Sequence, residues 1–292
     1  MGLSRMIKKL ISLLKVNHWL KNIIVFIPLI FSLSFSDDLL LFKTILVFLS
    51  FCLISSATYI LNDILDINSD KLHPVKCNRI IASGKISIFA ASFIMLFLII
   101  FSLFLSFYIH LGCFIVILSY FILNVLYSLY LKKLMLIDVL CIALGFILRI
   151  LIACIAIGVI PSPFVILMTF FCSLFFTFIK RKLELKLLGA EHCRSSVKKL
   201  DLNSLNQFIL LSATLSISFY FTYMLDKTTI LRAGTEFLYI TSIPFTLIIF
   251  RILYLVDNCQ VYDDPIIYFE KDLILKVFIV MYIFVLFVLI LI

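Results

Sequence analysis

Long apolar runs, separated by short polar segments, fill most of this chain. Residues 4–19 place apolar side chains on one helical face and lysines on the other, as expected of a helix lying on a membrane surface. Because a membrane-crossing helix needs about 20 mostly apolar residues, the pattern predicts an all-α polytopic membrane protein, with a cytosolic interfacial helix at 1–21 and a single transmembrane domain at 22–292. The nine candidate spans are 22–36, 41–61, 86–107, 110–130, 137–157, 162–179, 207–225, 234–255 and 273–292.

Composition excludes a soluble protein. Hydrophobic residues make up 64% of the 292 positions and charged residues 14%, whereas soluble domains carry about 25% charged residues. The eight cysteines include no CxxC pair and lie mostly in apolar runs. We therefore interpret them as small apolar side chains and not as a disulfide or zinc framework.

The distribution of charge orients the predicted spans. With the N-terminus in the cytosol and nine alternating spans, 21 of the 25 Lys and Arg residues fall on the cytosolic side, as the positive-inside rule requires. An eight-span alternative without the weak first span places the loops 63–85 and 180–199 opposite the basic N-terminal segment, which fits the charges less well. We predict a multi-pass protein of the cell (inner or plasma) membrane whose N-terminus and active site face the cytosol.

An acidic motif ends the second predicted span. If the helix continues, Asp63, Asp66 and Asp70 share one face, with Asn62 beside them. Clustered carboxylates need a positive partner, and oxygen ligands of this kind suit Mg²⁺ bound jointly by protein and phosphate. The alternative is a solvated helix end paired with lysines, although acidic residues there oppose the helix dipole. We predict a Mg²⁺ site at Asn62, Asp63, Asp66 and Asp70, where Mn²⁺ can substitute.

Basic residues near this motif are candidates for phosphate binding. Lys76 and Arg79 follow Pro74, which stops the helix and lets the chain fold back toward the carboxylates. Arg149 lies inside a predicted span, where a charge is costly and needs a partner or a polar cavity. Its role is either structural pairing or phosphate binding, and its spacing does not separate the two.

Several further motifs occur in a fixed order along the chain. They are Asn62-Asp63-x-x-Asp66-x-x-x-Asp70, His18-Trp19-x-Lys21-Asn22, His73-Pro74-x-Lys76-x-x-Arg79, Tyr127-Ser128 with Lys132, Ile137-Asp138-Val139, Gly145-Phe146 with Arg149, and Lys180-Arg181 with Glu184. In these the chain resembles the UbiA superfamily of intramembrane prenyltransferases, and within it the branch of decaprenyl-phosphate (polyprenyl-phosphate) phosphoribosyltransferases. It departs from that branch at Lys15-Val16, where Arg-Pro is usual, at His18, where Gln is usual, and at Ile80, where Pro is usual.

The resemblance implies a fold and a set of functional residues. The fold would be a UbiA-type bundle of about nine transmembrane helices around a central cavity. The catalytic residues implied are Asp63, Asp66 and Asp70. The substrate-binding residues implied are Lys21, Asn62, Lys76, Arg79, Tyr127, Lys132, Asp138, Arg149, Lys180, Arg181 and Glu184.

The resemblance also implies a reaction. Members that prenylate aromatic acceptors carry a second acidic motif after the sixth span, but here that loop is basic, from Lys180 to Lys186. This favours a Mg²⁺-dependent transfer of 5-phosphoribosyl from phosphoribosyl pyrophosphate to a polyprenyl phosphate, releasing diphosphate, in cell-envelope biosynthesis. One alternative is a prenyltransferase with a prenyl diphosphate donor and an aromatic acceptor. Another is a non-enzymatic transporter of a phosphorylated compound. Nucleic acid is not an expected partner, and homo-oligomerisation stays open.

Overall fold

The computed structural model describes residues 9–32, 36–72, 76–192, 200–258, 262 and 265–291. Throughout these residues the regular structure is helical, without a β-strand, which confirms the predicted all-α class. Eight helices in the described part are long and apolar enough to cross a membrane. We number them α1 (Asp38–Leu65), α2 (Ile88–Ile109), α3 (Leu111–Leu129), α4 (Ile137–Ile157), α5 (Pro163–His192), α6 (Leu202–Met224), α7 (Ser242–Asn258, preceded by the 3-10 helix Phe237–Thr241) and α8 (Leu273–Leu291).

The first predicted span differs from the other eight. In its place the chain forms a 3-10 helix, Val16–Phe26, which continues as the α-helix Ile27–Phe31. This apolar segment has fewer residues than the eight long helices. Because a 3-10 helix rises about 2.0 Å per residue and an α-helix about 1.5 Å, the two parts together still extend roughly 30 Å. The predicted count of about nine spans includes this segment, whereas length and apolarity alone select eight. Residues 1–8 and 33–35 lie outside the described part, so the predicted interfacial helix is described from residue 9 onward, and residues 9–14 are helical.

The chain divides into two compact units. The first comprises residues 1–30, 34–131 and 148–160, and the second comprises 31–33, 132–147 and 161–292. In the first unit, α1 packs against α2, α3 and the 3-10 helix Val16–Phe26. Lipid tails are as apolar as leucine side chains, so helices associate in a membrane through close packing and polar contacts. One such contact joins α2 to α1, because Ser102 Oγ donates to the Ser50 carbonyl over 2.8 Å.

In the second unit, α5 packs along α6, and α7 packs against α6 and α8. Phe175, Leu183 and Leu275 are fully buried in its core. A polar contact again joins helices there, since the Tyr220 hydroxyl lies 2.8 Å from Thr241 Oγ1 and 2.9 Å from the Tyr282 hydroxyl. Buried hydroxyls with partners fix the rotation of each helix in an environment that has no water to satisfy them.

The outward faces of the long helices are apolar. Phe93 on α2 and Phe284 on α8 are 70% and 64% exposed, and many other large apolar side chains are similarly open. A soluble protein rarely leaves so much contiguous apolar surface uncovered. Together with the eight long apolar helices, these faces describe a multi-pass membrane protein.

Candidate functional site

The acidic motif lies where α1 ends. Asp63 is in the last turn of α1, Asp66 caps the helix with a ψ of 4°, and a short helix, Ile67–Leu72, carries Asp70. Amide hydrogen bonds continue across the break, from Asp66 to the Asn62 carbonyl at 2.9 Å and from Asp70 to the Asp66 carbonyl at 2.8 Å. The continuous helix assumed for the acidic motif is therefore interrupted at Asp66, but the chain keeps near-helical spacing.

Arg79 bridges two of the three carboxylates. Its Nη1 atom lies 3.0 Å from Asp63 Oδ1 and 2.7 Å from Asp70 Oδ2. Both aspartates are almost fully buried, whereas Asp66 is half-buried. The structure thus brings Arg79 back onto the acidic motif as the sequence predicted, and Lys76 opens the 3-10 turn just before it.

Packing beneath the loop holds Arg79 in this position. Ile80 and Ile81 are buried in the apolar cluster formed with α1 and α2. The loop then turns at Gly84, whose φ of +71° is in the left-handed region that glycine adopts without strain. The residues after Arg79 therefore anchor the loop, and its guanidinium is left facing the carboxylates.

Lys15 is the site residue that sequence reasoning missed. Its Nζ atom lies 2.8 Å from Asp63 Oδ1 and 5.0 Å from the centre of the Tyr59 ring. Burial lowers the pKa of Lys15 below its usual value, and the Asp63 carboxylate opposes that shift. One signal was present, because the chain departs at Lys15 from the family that it resembles, but that departure was not connected with the site.

The N-terminal segment is attached to α1 by polar contacts. Trp19 Nε1 donates to Ser56 Oγ over 3.0 Å, and Ser56 Oγ donates to the Leu14 carbonyl over 2.7 Å. Asn22 Nδ2 donates to Ser55 Oγ over 3.3 Å. Two residues of the motif at 18–22 thus serve to dock this segment, and Lys21 lies half-buried on the same 3-10 helix.

The acidic motif fits a metal that arrives with a phosphate. Among the residues that the structure describes, no three His, Cys, Asp or Glu side chains are close enough together to hold a metal ion alone. Magnesium in phosphate-handling sites uses one or two carboxylates and takes its other ligands from water and substrate oxygens. Asp63 and Asp70, which share Arg79, supply such a pair, and Asn62 and Asp66 lie beside them in the chain.

A second charged cluster joins α4 to α5 in the second unit. Arg181 Nε lies 3.0 Å from Asp138 Oδ2, and Arg181 Nη1 lies 3.0 Å from Glu184 Oε2. Arg181 and Asp138 are almost fully buried, so each needs the other's charge. Three predicted substrate-binding residues are thus brought together, while Lys180 next to them is half-buried.

Two other predicted residues occupy the region before α4. Tyr127 lies near the end of α3, and Lys132 lies on the 3-10 helix Leu131–Lys133 that follows it. Both side chains are half-buried. Their assignment to substrate therefore stays a prediction.

Arg149 is enclosed within the first unit. Its Nε donates to Asn22 Oδ1 over 2.8 Å and its Nη2 to the Tyr120 hydroxyl over 3.1 Å. Its guanidinium carbon lies 5.1 Å from the centre of the Phe51 ring and 5.0 Å from that of Tyr120. These contacts tie the N-terminal segment to α3 and α4, so the geometry favours the structural alternative for this residue.

Replacing Arg149 with Met is therefore expected to lower stability more than substrate affinity. The change leaves Asn22 Oδ1 and the Tyr120 hydroxyl without their arginine donor, at a cost of about 1–3 kcal/mol. Thermal unfolding in detergent measures the loss, and Arg149→Lys, which keeps the charge, is the matched comparison. An unchanged melting temperature with a raised KM for the phosphorylated donor would instead identify Arg149 as a substrate ligand.

Comparison with known proteins matches this architecture. The sequence profile of the UbiA prenyltransferase family matches residues 23–269. The uncharacterised protein y4nM of Sinorhizobium fredii is 28% identical over 281 residues, which cover 92% of this chain and 53% of y4nM. The chain thus spans about half the length of that relative. A decaprenyl-phosphate phosphoribosyltransferase of Mycolicibacterium smegmatis is 27% identical over 259 residues, which cover 84% of this chain and 81% of that enzyme.

A solved structure shares the fold. A UbiA homolog from Archaeoglobus fulgidus, solved with DMAPP and Mg²⁺ bound, superposes with a TM-score of 0.69 and 20% sequence identity. The alignment covers 97% of this chain and 99% of that protein. At this identity the likeness concerns the arrangement of the helices.

Proposed function

The chain belongs to the UbiA prenyltransferase family, and from that membership we propose that it acts as a membrane transferase that moves 5-phosphoribosyl from phosphoribosyl pyrophosphate to a polyprenyl phosphate. Diphosphate is the leaving group. The sequence similarity to a decaprenyl-phosphate phosphoribosyltransferase supports this choice within the family. The site is proposed to face the cytosol of the cell membrane, where the water-soluble donor is found.

One observation carries the proposal: this chain has a single acidic motif, and its Lys180–Lys186 segment is basic where aromatic-acceptor members carry a second one. A prenyl diphosphate has one anionic group, which two acidic motifs hold through metal. Phosphoribosyl pyrophosphate has a diphosphate and a separate 5-phosphate, so it calls for one metal site and additional cations. The charges of this chain fit the second donor.

The residues of the first unit suit a site for the donor diphosphate. Asp63, Asp66 and Asp70, with Asn62, are proposed to hold Mg²⁺, which when bound neutralises charge that grows on the leaving diphosphate. Arg79 is fixed by the two buried carboxylates and presents further N–H donors of its fork to phosphate oxygens. Lys21 on the 3-10 helix Val16–Phe26 and Lys76 just before Arg79 are proposed to add positive charge.

The transfer needs little acid-base chemistry. An oxygen of the polyprenyl phosphate attacks C1 of the ribose, and the bond from C1 to the diphosphate oxygen breaks with its electron pair leaving on diphosphate. The acceptor oxygen is already anionic, so no strong general base is required. The protein mainly has to hold two anionic substrates close together, and most of its candidate substrate-binding residues are accordingly cationic.

A second candidate function has its own support. The Archaeoglobus homolog of the same fold was solved with DMAPP, a prenyl diphosphate, and Mg²⁺. A prenyltransferase with an aromatic acceptor would use the same acidic motif at Asp63 and Asp70. To separate the two, the purified protein is incubated with Mg²⁺ and either labelled phosphoribosyl pyrophosphate plus polyprenyl phosphate, or a labelled prenyl diphosphate plus an aromatic acceptor. Label from phosphoribosyl pyrophosphate in the lipid fraction supports the proposal. Its absence, with prenylation of an aromatic acceptor such as 4-hydroxybenzoate, would contradict it.

Lys180→Ala is expected to raise the KM for phosphoribosyl pyrophosphate about ten- to a hundredfold, the equivalent of one lost charge-assisted hydrogen bond. Magnesium affinity should change less, because we assign Lys180 to phosphate oxygens and not to metal. The penalty should shrink for a donor without the 5-phosphate. Steady-state kinetics with both donors measures this difference.

Two further variants make this test specific. Arg181→Ala should raise the KM and also destabilise the protein, because it leaves the buried Asp138 carboxylate without its partner. Lys186→Ala is the matched control, since Lys186 Nζ already donates to the Val256 carbonyl over 3.0 Å. An equal rise in KM for both donors would assign Lys180 to the diphosphate or to the head group of the lipid. An unchanged KM would show that Lys180 contributes only to membrane topology.

A further inference from the structure

Lys15 forms an ion pair with Asp63, one of the two buried carboxylates of the acidic motif. Its Nζ atom and Arg79 Nη1 both approach Asp63 Oδ1, at 2.8 Å and 3.0 Å. Arg79 also binds Asp70. Two carboxylates and two cations therefore form a group without net charge in a poorly solvated place, where each charge depends on its partners.

A divalent cation held by Asp63 would compete with Lys15 for the charge of this carboxylate. Arg79 bridges both carboxylates, so it keeps a partner at Asp70 if Asp63 is taken. Lys15 approaches the motif through Asp63 and is the cation more easily exchanged there. A lysine ammonium is also a compact charge on a flexible side chain, so it can move without reorienting a planar group such as the guanidinium of arginine.

The backbone on both sides of Lys15 is held in place. Ser56 on α1 accepts from Trp19 Nε1 and donates to the Leu14 carbonyl. Lys15 lies between these anchors with φ 49° and ψ 48°, a left-handed conformation that is unusual for a residue other than glycine. An outlier of this kind at a functional motif indicates that the surroundings impose it. If a divalent cation displaces Lys15 from Asp63, only the side-chain ammonium has to move, because the anchored backbone holds Lys15 beside the acidic motif.

We propose that Lys15 is a substrate-binding residue that pairs with Asp63 in the free protein and with the donor's diphosphate once Asp63 binds a divalent cation. An ammonium released from a carboxylate in a half-buried site requires another anion, and the diphosphate arrives with the metal. The anion half of this inference rests on the proposed function. The competition between Lys15 and metal for Asp63 does not.

The test compares Lys15→Gln with Lys15→Arg in purified, detergent-solubilised protein. Without any donor, Mn²⁺ binding followed by electron paramagnetic resonance should be about three- to tenfold tighter in Lys15→Gln, because a competing charge is gone. With Mn²⁺ saturating, inorganic diphosphate and phosphoribosyl pyrophosphate should each bind about tenfold more weakly. Lys15→Arg should stay near the original protein in both measurements. These opposite shifts are not expected from a residue that only supports the fold.

Two results would each overturn a part of the inference, and a third would overturn only the proposed donor. Unchanged or weaker Mn²⁺ binding in Lys15→Gln, in a variant that melts like the original protein, would overturn the competition at Asp63. Tighter Mn²⁺ binding with unchanged affinity for inorganic diphosphate would overturn the assignment of Lys15 to the anion. In the third result, inorganic diphosphate binds more weakly to Lys15→Gln, but phosphoribosyl pyrophosphate binds neither to the original protein nor to this variant. Lys15 then keeps its role, and the proposed donor is wrong.

Discussion

Asp66→Asn is expected to lower the rate of transfer by about a hundred- to a thousandfold, the range seen when one preorganised electrostatic contact is lost from an active site. Asparagine keeps the shape of the side chain but removes the charge that is proposed to help hold Mg²⁺. Asp66 is half-buried at the break between α1 and the helix Ile67–Leu72. Its backbone hydrogen bonds do not depend on the carboxylate, so the local structure should persist.

The matched control is Asp38→Asn. Asp38 is an exposed carboxylate in the first turn of the same helix, at the end opposite the acidic motif. Both variants should be recovered from the membrane in the same amount and melt at similar temperatures. Single-turnover rates with saturating Mg²⁺ then compare them. Normal turnover by Asp66→Asn would show that this carboxylate does not bind the metal.

Removal of divalent cations is expected to stop transfer altogether. Among the described residues, no three carboxylates lie close enough together to hold a metal alone, so a bound ion should exchange readily and be accessible to a chelator. Adding Mg²⁺ should restore activity, and Mn²⁺ should substitute because it also favours oxygen ligands. A chelator already saturated with Mg²⁺ controls for direct effects on the protein or detergent. Full activity after exhaustive chelation would contradict the proposed mechanism.

The membrane helices were predictable because their signal is local. An apolar run of sufficient length can only be satisfied in lipid or a protein core, so hydropathy placed all eight long helices. The segment Val16–Phe31 was placed as well, as the first of the predicted spans. Its apolar residues carried no information about the 3-10 geometry or about the docking of Trp19 and Asn22 on α1.

The contacts of the charged residues were only partly predictable. Arg79 was expected on the acidic motif because a proline and a short loop return the chain to it. Lys15 and Asp63 are separated by 48 positions, and no periodicity links them. Asp138 and Arg149 lie on the same helix, α4. The structure gives them separate partners, Arg181 for Asp138 and Asn22 for Arg149, since partner choice depends on which helices pack nearby.

The fate of the donor's phosphates tests the central claim most directly. Phosphoribosyl pyrophosphate is prepared with one label in its 5-phosphate and a second in its diphosphate, and is incubated with the purified protein, Mg²⁺ and polyprenyl phosphate. Transfer of 5-phosphoribosyl predicts that the first label enters the lipid fraction while the second appears as water-soluble diphosphate, in equal amounts. Diphosphate label in the lipid, or no label in the lipid from a preparation that prenylates an aromatic acceptor, would contradict it.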